Sequence, residues 1–176
     1  MTTKTAGLLS ALVVGATLIS SLATPALAQQ AGAKNLGSFK AWTAWQGSDA
    51  NGVTCYISSQ PEKSEPAGAN RDPIHFLVIH RKGLGTKNEV QTLVGYPIKA
   101  DANPSATIDG KAYPMVSEGS AAWLASAGDE AGFVAALKGG STLVVKSTSQ
   151  RGTNTTDTYS LGGVTAAMTE IDKACQ

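Results

Sequence analysis

The sequence predicts a mainly β domain, a β-sandwich with two helices added, and three observations carry that prediction. Short stretches that alternate in polarity, or are continuously apolar, recur along the chain between clusters of Gly, Pro, Asn and Asp. Asp109-Gly110, set between Ala106–Ile108 and Lys111–Val116, is the strongest hairpin signal and fits a type I′ turn. Helical spacing occurs in two places, a short helix at about 129–137 and a C-terminal helix at about 164–175.

The chain opens with a segment that does not belong to the fold. Lys4 supplies a positive start, Ala6–Ala23 is small or apolar without charge, and Pro25-Ala26-Leu27-Ala28 ends in an A-x-A pattern. Residues 1–28 therefore read as an export signal, cut between Ala28 and Gln29. A retained membrane anchor is the alternative, since the apolar run is just long enough to span a bilayer. The small residues and the cleavage pattern favour removal, which places the chain in the periplasm or outside the cell with no stable membrane insertion. Residues 29–38 read as a flexible leader and 39–176 as a single β-sandwich domain. That length can bury a core without metals. Without Lys4, thirteen basic residues face thirteen acidic ones. A balance of zero argues against a nucleic-acid partner, which would favour a concentrated basic face.

Phe39, Trp42 and Trp45 open the domain on a short strand, and a spacing of three sends the two tryptophans to opposite sides. The turn cluster Gly47–Gly52 leads into Gly52–Gln60, with Val53, Cys55 and Ile57 on one face and Thr54, Tyr56 and Ser58 on the other. Glu62–Pro73, with its prolines and charges, reads as a loop. Ile74–Arg81 is apolar without a break from Phe76 to Ile79, which suits a central strand covered on both faces. After the turn Arg81–Asn88, Val90, Thr92 and Val94 alternate with Gln91 and Leu93. Tyr96–Pro104 is irregular, and Pro114 puts the second arm of the Asp109-Gly110 hairpin at a sheet edge. Ala121–Leu124 adds a short strand. The first helix carries Phe133, Val134 and Leu137 and stops at Gly139-Gly140. Ser141–Ser149 and Thr155–Leu161 are strands rich in Ser and Thr, each with one wet face. The last helix aligns Val164, Met168, Ile171 and Cys175 on one side.

The candidates for chemistry are few. The only cysteines, Cys55 and Cys175, lie near opposite ends of the exported chain. In an oxidising compartment a disulfide between them is expected, and free thiols are the alternative. Such a bond would stabilise by about 5 kcal/mol in the chain-entropy model. His75 and His80 are five apart on one strand, hence on opposite faces, and no cysteine or carboxylate stands at ligand spacing from them. Gly83-Leu84-Gly85 with Lys87 lacks the spacing of a phosphate-binding loop. We therefore expect no catalytic, cofactor-binding or metal residues. Trp42, Trp45 and Trp123 remain as a possible surface aromatic patch, with core placement the competing reading for at least two of them.

Several sequence blocks together resemble a known family. These are Lys40–Trp45 (KAWTAW), Cys55–Pro66 (CYISSQPEKSEP), IHFLVIHR, EVQTLVGYP and STSQRGTNTTDTYSLGGVTAA. They are similar to the invasion-associated locus B family of exported α-proteobacterial proteins, over essentially the whole exported chain. The resemblance implies an immunoglobulin-like β-sandwich. It brings no catalytic or ligand-binding residues, and host invasion does not follow from it. The expected activity is non-enzymatic binding to an envelope or host-surface component. A periplasmic small-ligand carrier is the alternative, followed by a hydrolase built on His75 or His80 and a distant carboxylate.

Overall fold

The computed structural model describes Met1 and residues 32–176, so the expected export signal and the Ala28–Gln29 cleavage point lie outside the described residues. The described strands are β1 (Lys34–Phe39), β2 (Trp42–Asp49), β3 (Gly52–Ser59), β4 (Lys63–Glu65), β5 (His75–Arg81) and β6 (Thr86–Leu93). They continue with β7 (Ser105–Ile108), β8 (Lys111–Glu118), β9 (Ala121–Leu124), β10 (Thr142–Thr148) and β11 (Asn154–Ser160). Helix α1 (Glu130–Gly139) lies between β9 and β10, and α2 (Val164–Ala174) follows β11.

All strand pairings are antiparallel, in the order β1-β2-β3-β5-β6-β9-β8-β7-β10-β11-β4. Strand β8 belongs to both halves of this sheet. Its first part, Lys111–Pro114, pairs with β7, and its second, Met115–Glu118, pairs with β9. The sheet folds over on itself there, giving the two layers of a sandwich. The first layer holds β1, β2, β3, β5, β6 and β9; the second holds β7, β10, β11 and β4.

Pro114 sits at this corner and not at a sheet edge, contrary to expectation. The Met115 N–H donates to the Pro104 carbonyl at 2.9 Å, and the Ala125 N–H donates to the Pro114 carbonyl at 3.0 Å. A strand changing partners at this point has a place for a residue without an N–H.

The inner faces meet through aromatic rings. Phe76 of β5 lies edge-on to Tyr159 of β11 at 5.8 Å and edge-on to Trp42 at 6.4 Å. Helix α1 inserts Phe133, which stacks on Phe76 at 5.9 Å and meets the edge of Tyr113 at 4.8 Å. Such pairs add to the large apolar area that each ring removes from water. Trp42 also donates its indole N–H to the Ser160 carbonyl at 2.9 Å, tying β2 to the end of β11. The α2 stripe of Val164, Ala167, Met168 and Ile171 is buried and continues into Cys175.

Local chemistry sets the turns. Asp109 and Gly110 both have positive φ, at 44° and 92°, as a type I′ turn requires. The Asp109 carboxylate also accepts the N–H groups of Ser141 and Thr142, anchoring the hairpin to the start of β10. Gly163, at φ 100°, precedes α2 where an added Cβ would lie 1.9 Å from the Phe39 carbonyl oxygen. Only glycine fits there.

Two further expectations change. Residues 34–38, read as part of a flexible leader, form strand β1 on the edge of the first layer. The loop read over Glu62–Pro73 contains β4, which pairs with β11 through Lys63–Glu65. The short helix expected at about 129–137 is α1, with Gly140 extended at its end.

The aromatic core makes a direct prediction. Phe133→Ala should destabilise by about 3–5 kcal/mol in urea denaturation, from lost transfer energy and the cavity left behind. Tyr113→Phe should stay within about 1 kcal/mol of the native protein, because the buried hydroxyl has no hydrogen-bond partner to lose.

Candidate interaction surface

Strand alternation sorts the three tryptophans. Trp42 points inward and is fully buried, so it cannot belong to a surface patch. Trp45 and Trp123 are half-buried on the outer face of the first layer. The expected patch of three is therefore a pair of tryptophans set in a wider surface.

The strand register defines that surface. One row runs Trp45, Tyr56, Ile79, Glu89 across β2, β3, β5 and β6. The adjoining row runs Thr43, Ser58, Leu77, Gln91, Trp123, Val116 and ends on β8. The Trp45 and Tyr56 rings are nearly parallel, 20° apart with centroids at 6.4 Å. Trp45 donates its indole N–H to Ser58 Oγ at 3.0 Å, which fixes the ring against the sheet. Val116, 54% exposed, completes the apolar edge. The expectation that β5 is covered on both faces is half met. Phe76 and Val78 face the second layer, while on the outer face Ile79 is buried at 4% exposure and Leu77 is only half-buried. The unbroken apolar run of β5 thus serves both a core and an open aromatic face.

An open groove of about 440 Å3 borders this face. Trp45, Thr43, Ser58, Gln60, Glu62 and His75 line it. Burial lowers the His75 pKa below its usual value, which keeps the ring neutral at neutral pH.

The second expected feature lies at the other end of β3. Cys55 and Cys175 are bonded, with Cα atoms 6.0 Å apart and 120 positions between them in sequence. The bond joins the inner face of the first layer to the end of α2. Gln46, paired with Cys55 across the strands, donates from its amide to the Ala174 carbonyl at 3.3 Å and supports the same junction.

His80 lies beside this clasp and forms a pair that the sequence reading left undefined. Its Nε2 is 2.9 Å from Asp172 Oδ1, and its Nδ1 accepts the Asn88 N–H at 3.2 Å. An acceptor at Nδ1 places the proton on Nε2, where it is donated to the carboxylate. The ring is 1% exposed. Both nitrogens are engaged, so neither is free to take a proton from a nucleophile. His75, on the opposite face, joins neither the dyad nor a metal set. No group of three or more His, Cys, Asp or Glu among the described residues could hold a metal ion.

Arg71 and Asp157 were not singled out by sequence reasoning. Arg71 gives two hydrogen bonds to the Asp157 carboxylate, at 2.8 and 2.6 Å, and two to the Val94 carbonyl. Its guanidinium lies 5.0 Å from the centre of the Tyr96 ring. The pair pins the β4–β5 loop onto β11. Loop composition hides such a clamp, because the acid lies 86 positions away on a Ser/Thr-rich strand.

With this geometry described, comparison with known proteins is informative. The family model of the Invasion associated locus B (IalB) protein matches residues 42–172. The chain belongs to this family. Among solved structures it is similar to the invasion associated protein B of Bartonella henselae, with a TM-score of 0.56 and 14% identity. The match covers 80% of this chain and 97% of that one. At that identity the likeness concerns the fold. No curated protein matches the chain.

Two outcomes follow from the site geometry. Arg71→Ala should destabilise by about 3–5 kcal/mol, since it leaves Asp157 buried without a partner. The double change Arg71→Met with Asp157→Leu should recover most of that loss in the same urea titration. His75 sets a pH dependence: its folded pKa is below the ordinary 6.5, so the native state favours the neutral ring. This contribution is present above about 6.5 and is lost as pH falls, because the unfolded chain takes up the proton more readily. Replacing His75 by Gln should flatten that part of the profile, read as urea midpoints at successive pH values.

Proposed function

We propose that this protein is exported and acts without catalysis, by binding an envelope or host-surface component through the outer face of the first layer. The observation that carries the reading is the outer face, open among the described residues, on which Trp45, Tyr56, Leu77, Trp123 and Val116 stand together. Apolar side chains rimmed by Gln91 and Glu89 are the composition of an interaction surface.

Export is supported by the N-terminal residue pattern, by the disulfide and by family membership. No described helix is long and apolar enough to cross a membrane. A non-catalytic role is supported by the closed hydrogen bonding of His80. A carrier with a pocket between the layers has less support, because Trp42, Phe76, Phe133 and Tyr159 fill that space. Invasion belongs to the description of the Bartonella protein, and the fold alone does not transfer it.

The edges of the sheet favour a face over strand addition. On β1 the register shifts between Asn35 and Gly37, and the Asn35 side chain accepts the Gly37 N–H at 2.8 Å. At the other edge β4 is three residues long and ends before Pro66. Irregular or short edges resist pairing with another chain.

A photocrosslinking residue at Val116 should give a discrete adduct in the native envelope. The same residue at Lys146, exposed on the second layer, should not. Absence of an adduct at Val116, or an identical adduct from both positions, would overturn the reading.

A further inference from the structure

We propose that the Trp45 groove binds a glycan strand of uncharged pyranose rings, with one sugar stacked on the indole and its neighbours running past Gln60. This inference rests on the reading of the first layer's outer face as a binding surface and names the ligand class for one end of it.

The platform is fixed in advance. Trp45 is held by its hydrogen bond to Ser58 Oγ and by the nearly parallel Tyr56 ring, so little freedom remains to be lost on binding. Sugar C–H groups carry partial positive charge, and an aromatic face is negative, so a pyranose lies flat on such a ring. The groove around the indole is polar: Thr43, Gln60, Glu62 and His75 offer donors and acceptors to the hydroxyl groups that radiate from a sugar's rim. A neutral His75 both donates and accepts, as hydroxyl partners require. One aromatic face with convergent polar groups fits an amphipathic ring better than a purely apolar ligand.

A second hollow shares a lining residue with this groove. Gln60 lines both the Trp45 groove and a second open groove of about 290 Å3, which continues along Ser64, Pro66 and Asp72 beneath the β4–β5 loop. Two hollows meeting at one side chain suit a chain of sugars more than a single small molecule.

Charge excludes the acidic glycans. The cation lining either groove is Arg71, and its guanidinium is held by Asp157 and the Val94 carbonyl. The carboxylates Glu62 and Asp72 stand at the rim. A sulfated or phosphorylated chain would meet repulsion without a free cation to answer it.

The test uses the full exported chain, titrated by calorimetry and tryptophan fluorescence. The probes are a tetramer of β-1,4-linked N-acetylglucosamine and a tetramer of β-1,4-linked glucose. At least one should bind, and the preferred one separates amino-sugar from plain hexose chains. Trp45→Ala should weaken binding at least tenfold, and Trp45→Phe should restore it to within a few-fold. Lys146→Ala, exposed on the second layer and outside both grooves, should leave it unchanged. Failure of both tetramers to bind at millimolar concentration would overturn the proposal, as would equal binding by Trp45→Ala or equal loss in Lys146→Ala. If the tetramers fail while the Val116 crosslink persists, the glycan inference falls alone. If both fail, the surface reading falls with it.

Discussion

The structure depends on one sheet having to cover itself. A sheet as wide as this cannot stay flat, because strand twist accumulates across it. This one closes over at β8, where Lys111–Pro114 pairs on one side and Met115–Glu118 on the other. The consequence is an asymmetry between faces. Inner faces meet and are filled by Trp42, Phe76, Tyr159 and the inserted Phe133. Among the described residues the outer face of the first layer receives no such cover, and α1 and α2 supply their buried stripes to the inside. The open aromatic face is therefore a product of the same fold-over that creates the core.

Junctions that the sheet cannot make for itself are held by side chains. The disulfide and the Gln46 amide fasten α2 to β2 and β3. Arg71 fastens the β4–β5 loop to β11 with two-pronged geometry that suits a carboxylate. His80 joins β5 to α2 through Asp172 while accepting from the β6 backbone at Asn88. Each links segments far apart in sequence, which is where loop-closure entropy is largest. The histidine–aspartate pair in this setting braces β5 against α2.

What the sequence made legible follows the range of the forces involved. Alternation placed Val90 and Thr92 inward, and the odd spacing of Trp42 and Trp45 sent them to opposite faces. Asp109-Gly110 specified its own turn, since both positive φ values are local demands. The stripe of α2 ran into Cys175 as its spacing required. Long-range matters were hidden. An internal proline reads as an edge residue unless the strand is known to change layers, which is a property of the whole topology. β4 has three residues and forms because β11 offers an open edge. The Arg71–Asp157 clamp lies between a loop and a polar strand, neither of which announces burial.

The apolar run of β5 shows why patterning alone misjudged the site. Continuous apolarity implies burial on both sides only when every apolar face must be buried for stability. Ile79 meets that requirement on the outer face, whereas Leu77 stays half-buried in a row with Ser58, Gln91 and Trp123. A surface composed of rigid aromatic rings on paired strands loses little side-chain entropy when it meets a ligand, unlike one built on long charged chains. Leaving such a face open costs solubility in isolation, and the polar row members Thr43, Ser58 and Gln91 limit that cost by breaking its apolar continuity. The resulting mixture, aromatic platforms separated by small polar side chains, is suited to a ligand that is itself apolar on its faces and polar at its rim.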